Sequence, residues 1–266
     1  MELAYTGGEE GIQVIENYFV NPKTGEVFRD GVVVECGAAE GFFNPSLTLE
    51  QIYKWKYYAF EPDPRMFQVL DRNRPWSIKI NKALTDYIGT TPFFMSAHNG
   101  NSSIGYNEFH ENELKGYKER FDDGTSLHPI TVQTIDWQKF VEDYEVNKVN
   151  LLTLDVEGHE LDVFHGIAKT NILPEVIQVE FIYSDPQNKL FNKEEKKDYS
   201  GFFAVANTLM EMGYGFDYVS FNNAHFSLRS FWKGKDRPTK WVEEVDIYEW
   251  HDIKFYDKDE CKKFII

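Results

Sequence analysis

The 266-residue sequence predicts a single α/β domain on an open, mostly parallel sheet with helices on both faces. Three observations predict it. Short apolar runs such as "GVVVE", "YYAFEPDP", "KVNLLTLDVEG" and "PEVIQVEFIY" recur with amphipathic segments between them, the pattern of parallel strands buried on both sides. Turn residues punctuate the runs. Near the end, "GFDYVSF" and "HFSLRSF" are separated by only three residues, which makes them an antiparallel pair and sets one strand against the rest. No internal repeat or low-complexity linker divides the chain. The boundaries expected are a lead-in over 1–30, the domain over 31–231, and an extension over 232–266 packed on that domain.

The elements follow in order. Residues 1–30 ("TGGEE", "NPKTGE") are polar and turn-rich. "GVVVE" (31–35) is the first strand, and "SLTLEQIYKWK" (46–56) a helix with Thr48 and Gln51 at capping-box spacing. "YYAFEPDP" (57–64) is a strand stopped by Pro62 and Pro64. "RMFQVLDRN" is a helix with Met66, Phe67 and Leu70 on one face, and "SIKINKALTD" (77–86) the next strand. Residues 89–133 break the rhythm with a short extra strand, a polar loop and a charged excursion. Alternation returns with "TIDWQKFVEDYEV" as helix, "KVNLLTLDVEG" as strand, "HELDVFHGIAKT" as helix, "PEVIQVEFIY" as strand and "YSGFFAVANTLMEMGY" as helix.

A formal charge of −16 argues against nucleic acid, whose phosphates demand clustered Lys and Arg. A small neutral or cationic ligand suits this balance. Two cysteines, Cys36 and Cys261, make no disulfide framework and no CxxC zinc pair. Neither a leader pattern nor a stretch of ~18–20 apolar residues is present, so the reading is a soluble, cytoplasmic protein without a membrane span.

Ligands of open parallel sheets bind beyond the carboxyl ends of the strands. Acids gather there: Glu35, Glu61, Asp155, Glu157 and Glu180. Glu61 lies 20 residues after Gly41, the separation at which an acid grips ribose hydroxyls in nucleotide-binding βαβ units. The glycines Gly37 and Gly41, however, are spaced G-x-x-x-G, and Glu35 and Glu40 flank them with negative charge. A pyrophosphate is disfavoured there. A zwitterionic nucleoside carrying an ammonium and a sulfonium, S-adenosylmethionine, fits the acidic rim.

The segments "VVVECGAAEG", "YAFEPDPRMFQVL", "INKALTD", "GNSSI", "VNLLTLDVEGHELDVFHGI" and "IQVEF" occur in order over roughly residues 31–220. They resemble the FkbM-type S-adenosylmethionine-dependent methyltransferases, class I enzymes with a three-layer Rossmann-like fold and a seven-stranded sheet with one antiparallel strand. The resemblance implies methyl transfer to a hydroxyl of a sugar, glycan-like or natural-product acceptor. It places Glu35, Gly37, Ala38 and Gly41 under the methionine end of the cofactor, Glu61 on the ribose and Pro62 in the turn after it. Ala83 falls near the adenine, Ser102 and Ser103 at the cofactor or acceptor edge, and Asp155 beside the transferring methyl group. The chain departs from the family at Glu35, where Asp is more frequent, and at Phe42–Pro45, which delays the following helix.

Several residues carry two readings. Gly37 and Gly41 serve either cofactor approach or a tight turn, and Cys36 reads as a small buried apolar residue. Asp155 or His159 would be the base that takes the hydroxyl proton; alternatively His159 is a solvent-facing first-turn residue. Asp155, Glu157, His159 and Glu180 could together hold a divalent metal, which is not the favoured reading. The aromatics Trp232, Trp241, Tyr248 and Trp250 read as core or dimer contacts before acceptor-stacking groups, so homo-oligomerisation stays open. Two rival functions remain: a non-catalytic glycan- or protein-interaction module, and a nucleotide-dependent oxidoreductase that the absent G-x-G-x-x-G disfavours.

Overall fold

Strand parity sorts the core into two layers. The structure, a computed structural model, describes residues 9–21, 23–42, 46–95, 102–104, 128–180, 200–220 and 223–233. Val34, Tyr58, Phe60, Leu152 and Ile177 point to one side of the sheet and pack with Trp137, Phe140, Phe164, Ile167 and Leu209. Their neighbours Val33, Tyr57, Ala59, Leu151 and Val176 point to the other side and pack with Val14, Phe19, Leu49, Trp55 and Leu70. Successive residues of a strand face opposite ways, so an unbroken apolar run feeds both layers.

The described elements run α1 (Glu9–Val14) into a π-helical turn (Ile15–Phe19), β1 (Val32–Cys36), α2 (Ser46–Gln51), β2 (Lys56–Phe60), α3 (Pro64–Asn73), β3 (Ile78–Ile80), β4 (Ala83–Thr85), β5 (Gly89–Met95), β6 (Ser103–Ile104) and β7 (His128–Asp136). Then come α4 (Trp137–Asp143), β8 (Leu151–Leu154), α5 (Glu160–Ala168), β9 (Val176–Glu180), α6 (Ser200–Glu211), β10 (Tyr214–Ser220), β11 (Asn223–Leu228) and a 3₁₀ turn (Arg229–Trp232). Seven strands form the main sheet in the order β10-β11-β9-β8-β1-β2-β3. β3, β2, β1, β8 and β9 pair in parallel, while β11 runs antiparallel to both β9 and β10. This is the mostly parallel Rossmann-like sheet with one reversed strand. The strand order changes direction between β1 and β8, which places the ligand crevice at their carboxyl ends.

Three local expectations are corrected. "SIKINKALTD" is two strands: Ile78–Ile80 extends the main sheet, and Ala83–Thr85 joins a second sheet of order β4-β7-β5-β6. A turn closed by the Lys82 N–H on the Ile80 carbonyl (2.9 Å) redirects the chain between them. Residues 134–136 finish β7, and the helix starts only after Asp136, whose carboxylate accepts from the Lys139 N–H at 2.7 Å as an N-cap. Thr48 and Gln51 sit within α2, which ends at Gln51 because the chain turns back through Lys54, at φ 63°, into β2.

The lead-in takes part in the core. Val14, Ile15, Tyr18 and Phe19 are buried, and the Tyr18 hydroxyl donates to Asp217 at 2.8 Å. Trp232 packs against Phe231 and Tyr18 and donates to the Ser227 hydroxyl at 2.7 Å, a core contact. Trp241, Tyr248, Trp250 and the expected extension beyond residue 233 lie outside the described residues. No helix among the described residues is long and apolar enough to cross a membrane.

Candidate functional site

A cleft of about 700 Å³, its open mouth included, lies at the carboxyl ends of β1, β2 and β8. The main sheet contributes Cys36, Gly37, Phe60, Glu61 and Asp155; the second sheet brings Ala83, Leu84, Phe93 and Ile104 with the adjoining Ser102. The second sheet is inserted between β3 and β8, so the chain that interrupts the alternation also builds one side of the crevice.

Glu61 ties two loops together. One of its oxygens accepts from the Ala39 N–H and the other from the Asp63 N–H, both at 2.8 Å, while Asn81 Nδ2 donates to the Glu61 carbonyl at 2.7 Å. Each carboxylate oxygen keeps a lone pair for a further donor. Burial pushes the Glu61 carboxyl up to about 7, and the two amide donors act in the opposite direction. Its folded pKa therefore exceeds its unfolded one. Between about 4.5 and 7 the folded chain holds a proton that the unfolded chain has lost, so Glu61 costs stability progressively as pH rises through that window. The acceptor-only form is complete above it. Affinity for a ribose-bearing ligand is expected to rise between about pH 6 and about pH 8, and Glu61→Gln to flatten that rise. Calorimetry across this range checks both, and a flat profile for the unaltered protein removes Glu61 from the ligand contact.

Beyond β8 the acids crowd. Asp155, Glu157 and Glu180 each place an oxygen so that all three lie within 4.8 Å of one another. Asp155 stands among the cleft walls yet opens into the cavity. That semi-enclosed position, with the Glu157 charge beside it, raises its pKa to about 7. Glu180 is pushed higher, to about 10, by burial and by the adjacent Asp155, to which it is hydrogen-bonded. The second Glu180 oxygen is buried without a hydrogen-bond partner among the described residues. Glu160 is buried too and raised by that burial, although the Gly158 N–H donates to it at 3.1 Å. Among the described lining residues Lys82 is the one cation beside Glu61, Asp63, Asp155 and Glu157.

The structure gathers Gly37, Glu61, Pro62, Ala83, Ser102, Asp155 and Glu157 around the cleft. Glu35 is placed elsewhere. It faces away from Cys36, fully buried, and accepts from the hydroxyls of Ser46 (2.5 Å) and Tyr57 (2.7 Å), so it fastens α2 to the sheet. Ala38 packs in the core and its N–H donates to Phe60, which leaves Ala39 on the cleft. Gly41 does not line the cleft. A Cβ there would meet Leu70 at 2.7 Å and Arg74 at 2.9 Å, and the Arg74 guanidinium donates to the Gly41 carbonyl at 2.8 Å. Ser103 is buried within β6, beside the cleft-facing Ser102 and Ile104. His159 is turned away: Nε2 donates to the Ile104 carbonyl and Nδ1 lies 3.0 Å from the Asp162 carboxylate, so neither nitrogen is directed into the cleft. It stands outside the Asp155–Glu157–Glu180 trio. Several cleft residues escaped sequence reasoning, Asp63, Lys82 and Phe93 among them, as did Arg74, which supports Gly41 outside the cleft. Arg74 is buried between Glu50 and the Tyr57 ring, and Asp63 is buried against Arg65 and the Ser102 hydroxyl (3.3 Å). A signal for Asp63 existed, since it precedes the Pro64 that opens α3 and is an N-cap type.

Comparison with known proteins bears on what this cleft is. The sequence model of the methyltransferase FkbM domain matches residues 35–216, well over half of the chain. The chain belongs to the FkbM methyltransferase-domain family. A curated relative of this FkbM domain is the hexuronic acid methyltransferase AglP of Haloferax volcanii, 32% identical over 127 residues. The match covers 46% of this chain and 45% of AglP, so it spans less than half of that relative. Among solved structures, Aeropyrum pernix fibrillarin with natively bound S-adenosyl-L-methionine aligns at a TM-score of 0.38 with 13% identity, over 75% of this chain and 66% of that one. Methanococcus jannaschii fibrillarin aligns at 0.38 with 15% identity, over 83% and 74%. Neither likeness carries weight for the site.

The cleft of this FkbM domain is chemically suited to S-adenosylmethionine. Glu61, Asp155 and Glu157, with Asp63 paired to Arg65 and Lys82 the one cation among the described lining residues, disfavour a pyrophosphate and suit a ligand with an ammonium and a sulfonium. Glu61 retains acceptor capacity for ribose hydroxyls, and Pro62, Met66, Leu84 and Phe93 give an apolar wall for a flat base.

Proposed function

We propose that this FkbM domain is an S-adenosylmethionine-dependent O-methyltransferase acting on a hydroxyl of a sugar or glycan-like acceptor. The observation that carries the proposal is that one cleft unites Glu61, with lone pairs open to a ribose, and Asp155, a carboxylate open to the cavity and hydrogen-bonded to Glu180. When bound, S-adenosylmethionine supplies an activated methyl group. Glu61, itself fixed by the amides of Ala39 and Asp63, would hold the ribose. Asp155 would take the proton that the acceptor hydroxyl loses as its oxygen gains the methyl carbon. Orienting the two reactants is worth up to ~7–11 kcal/mol in well-aligned systems. AglP acts, by its name, on a hexuronic acid, which supports a sugar acceptor for this chain.

The test is calorimetry with S-adenosylmethionine, followed by labelled methyl transfer to free, uronic and nucleotide-linked sugars. Binding and an alkali-stable methyl ether are expected. Absence of binding by the intact protein sinks the reading and returns the non-catalytic module. A methyl group released by mild alkali would place transfer on a carboxylate instead of a hydroxyl.

A second reading has a specific observation behind it. The oxygens of Asp155, Glu157 and Glu180 lie close enough to share a divalent cation, which would hold and acidify the acceptor hydroxyl. Under the first reading activity survives chelation by EDTA. Loss of activity that magnesium restores would assign the trio to a cation.

A further inference from the structure

We infer that His159 is a positioning residue that pins strand β6 along the cleft. The inference rests on the cleft being the cofactor site, and the pin itself can be measured without cofactor. Among the described residues β6 is Ser103–Ile104, which pairs with β5 through Phe93 and Phe94. Side chains from the two sides of the crevice also hold this strand. On the β2 side, the hydroxyl of Ser102 donates to Asp63, which Arg65 grips in turn. On the β8 side, His159 Nε2 donates to the Ile104 carbonyl, and the ring is steadied by Asp162 one turn along α5. Ser102 and Ile104, the residues so fastened, both line the cavity.

His159 belongs to the same short connection as Asp155 and Glu157, between β8 and α5. Its hydrogen bond therefore couples the second sheet to the loop that carries the acid cluster. Fixing Ile104 sets how closely the second sheet approaches that loop, and thus the shape of the cleft where the two reactants meet. An imidazole with a carbonyl on Nε2 and a carboxylate beside Nδ1 acts here by holding backbone and not by receiving the acceptor's proton.

The experiment compares His159→Ala, His159→Gln, Ser102→Ala and the double variant His159→Ala/Ser102→Ala in the full chain. Amide hydrogen exchange of β5 and β6 is expected to quicken in His159→Ala and to recover in His159→Gln, whose amide N–H can reach the Ile104 carbonyl. Affinity for S-adenosylmethionine is expected to weaken about tenfold in His159→Ala, as for one lost hydrogen bond, with kcat changed less. The double variant should weaken it by less than the product of the single effects, because both residues hold the same strand. Unchanged exchange in His159→Ala overturns the inference whatever the cofactor does. A kcat loss of 100-fold or more at unchanged affinity also overturns it and makes His159 the base. Failure of the unaltered protein to bind S-adenosylmethionine overturns the proposed function, while quickened exchange would still support the pin.

Discussion

Asp155→Asn is expected to lower kcat for methyl transfer by about 10²–10⁴-fold while affinity for S-adenosylmethionine stays within a few-fold. The substitution preserves the shape of the side chain and leaves the backbone intact, including the Asp155 N–H on the Cys36 carbonyl at 3.0 Å. The asparagine carbonyl can still accept from a protonated Glu180, so the buried neighbour keeps its partner. What is lost is a basic oxygen facing the cavity. Single-turnover transfer of a labelled methyl group separates the chemical step from binding. An unchanged kcat would take Asp155 out of the reaction.

Gly37→Ala is expected to be among the most damaging substitutions that remove no functional group. Gly37 has φ 78°, and a Cβ built on it would lie 1.8 Å from the Asp155 carbonyl oxygen and 3.0 Å from its carbonyl carbon. The obstacle is backbone, so no side-chain rotation relieves it. The flanking bonds, Gly37 N–H to the Phe60 carbonyl (3.1 Å) and Asp155 N–H to the Cys36 carbonyl (3.0 Å), hold β1, β2 and β8 together at this point. Relief requires parting the strands beneath the cleft. A loss of roughly 3–5 kcal/mol is expected, read as a lowered denaturant midpoint, together with loss of cofactor binding. Gly25→Ala is the comparison: its φ is 70° but nothing lies within 4 Å, so only the left-handed backbone penalty of about 1–2 kcal/mol applies. Equal effects at the two positions would show that the approach of Gly37 to Asp155 is not what constrains it.

These two positions show how far the amino-acid order reaches. Gly37 was legible as a glycine demanded by a close approach, but the approaching group is the Asp155 backbone as well as any ligand. Gly41, four residues on, read identically, yet its constraint is the packing of Leu70 and Arg74. Local pattern announces that a backbone must be bare; it does not say to whom. Glu35 teaches the same limit. Its place at a strand end marked it as a rim acid, whereas one residue of parity decides between cleft and core, and the partners that made the core side affordable, Tyr57 and Ser46, come from other elements.

Whatever depends on near neighbours along the chain was therefore readable: the alternation of apolar runs and helices, the sheet with its one reversed strand, and the clustering of Glu61, Asp155 and Glu157 beyond the strand ends. These follow from short-range periodicity and from the rule that parallel strands present their carboxyl ends on one side. Contacts between remote segments were settled by folding alone. The second sheet joins Ala83–Thr85 to residues 128–136, the Ile104 carbonyl captures His159 across 55 positions, and Arg74 reaches back 33 positions to Gly41. Such pairings depend on which surfaces remain uncovered once the main sheet has formed. Side-chain direction then decides that Asp155 opens into the cleft while His159 holds its wall.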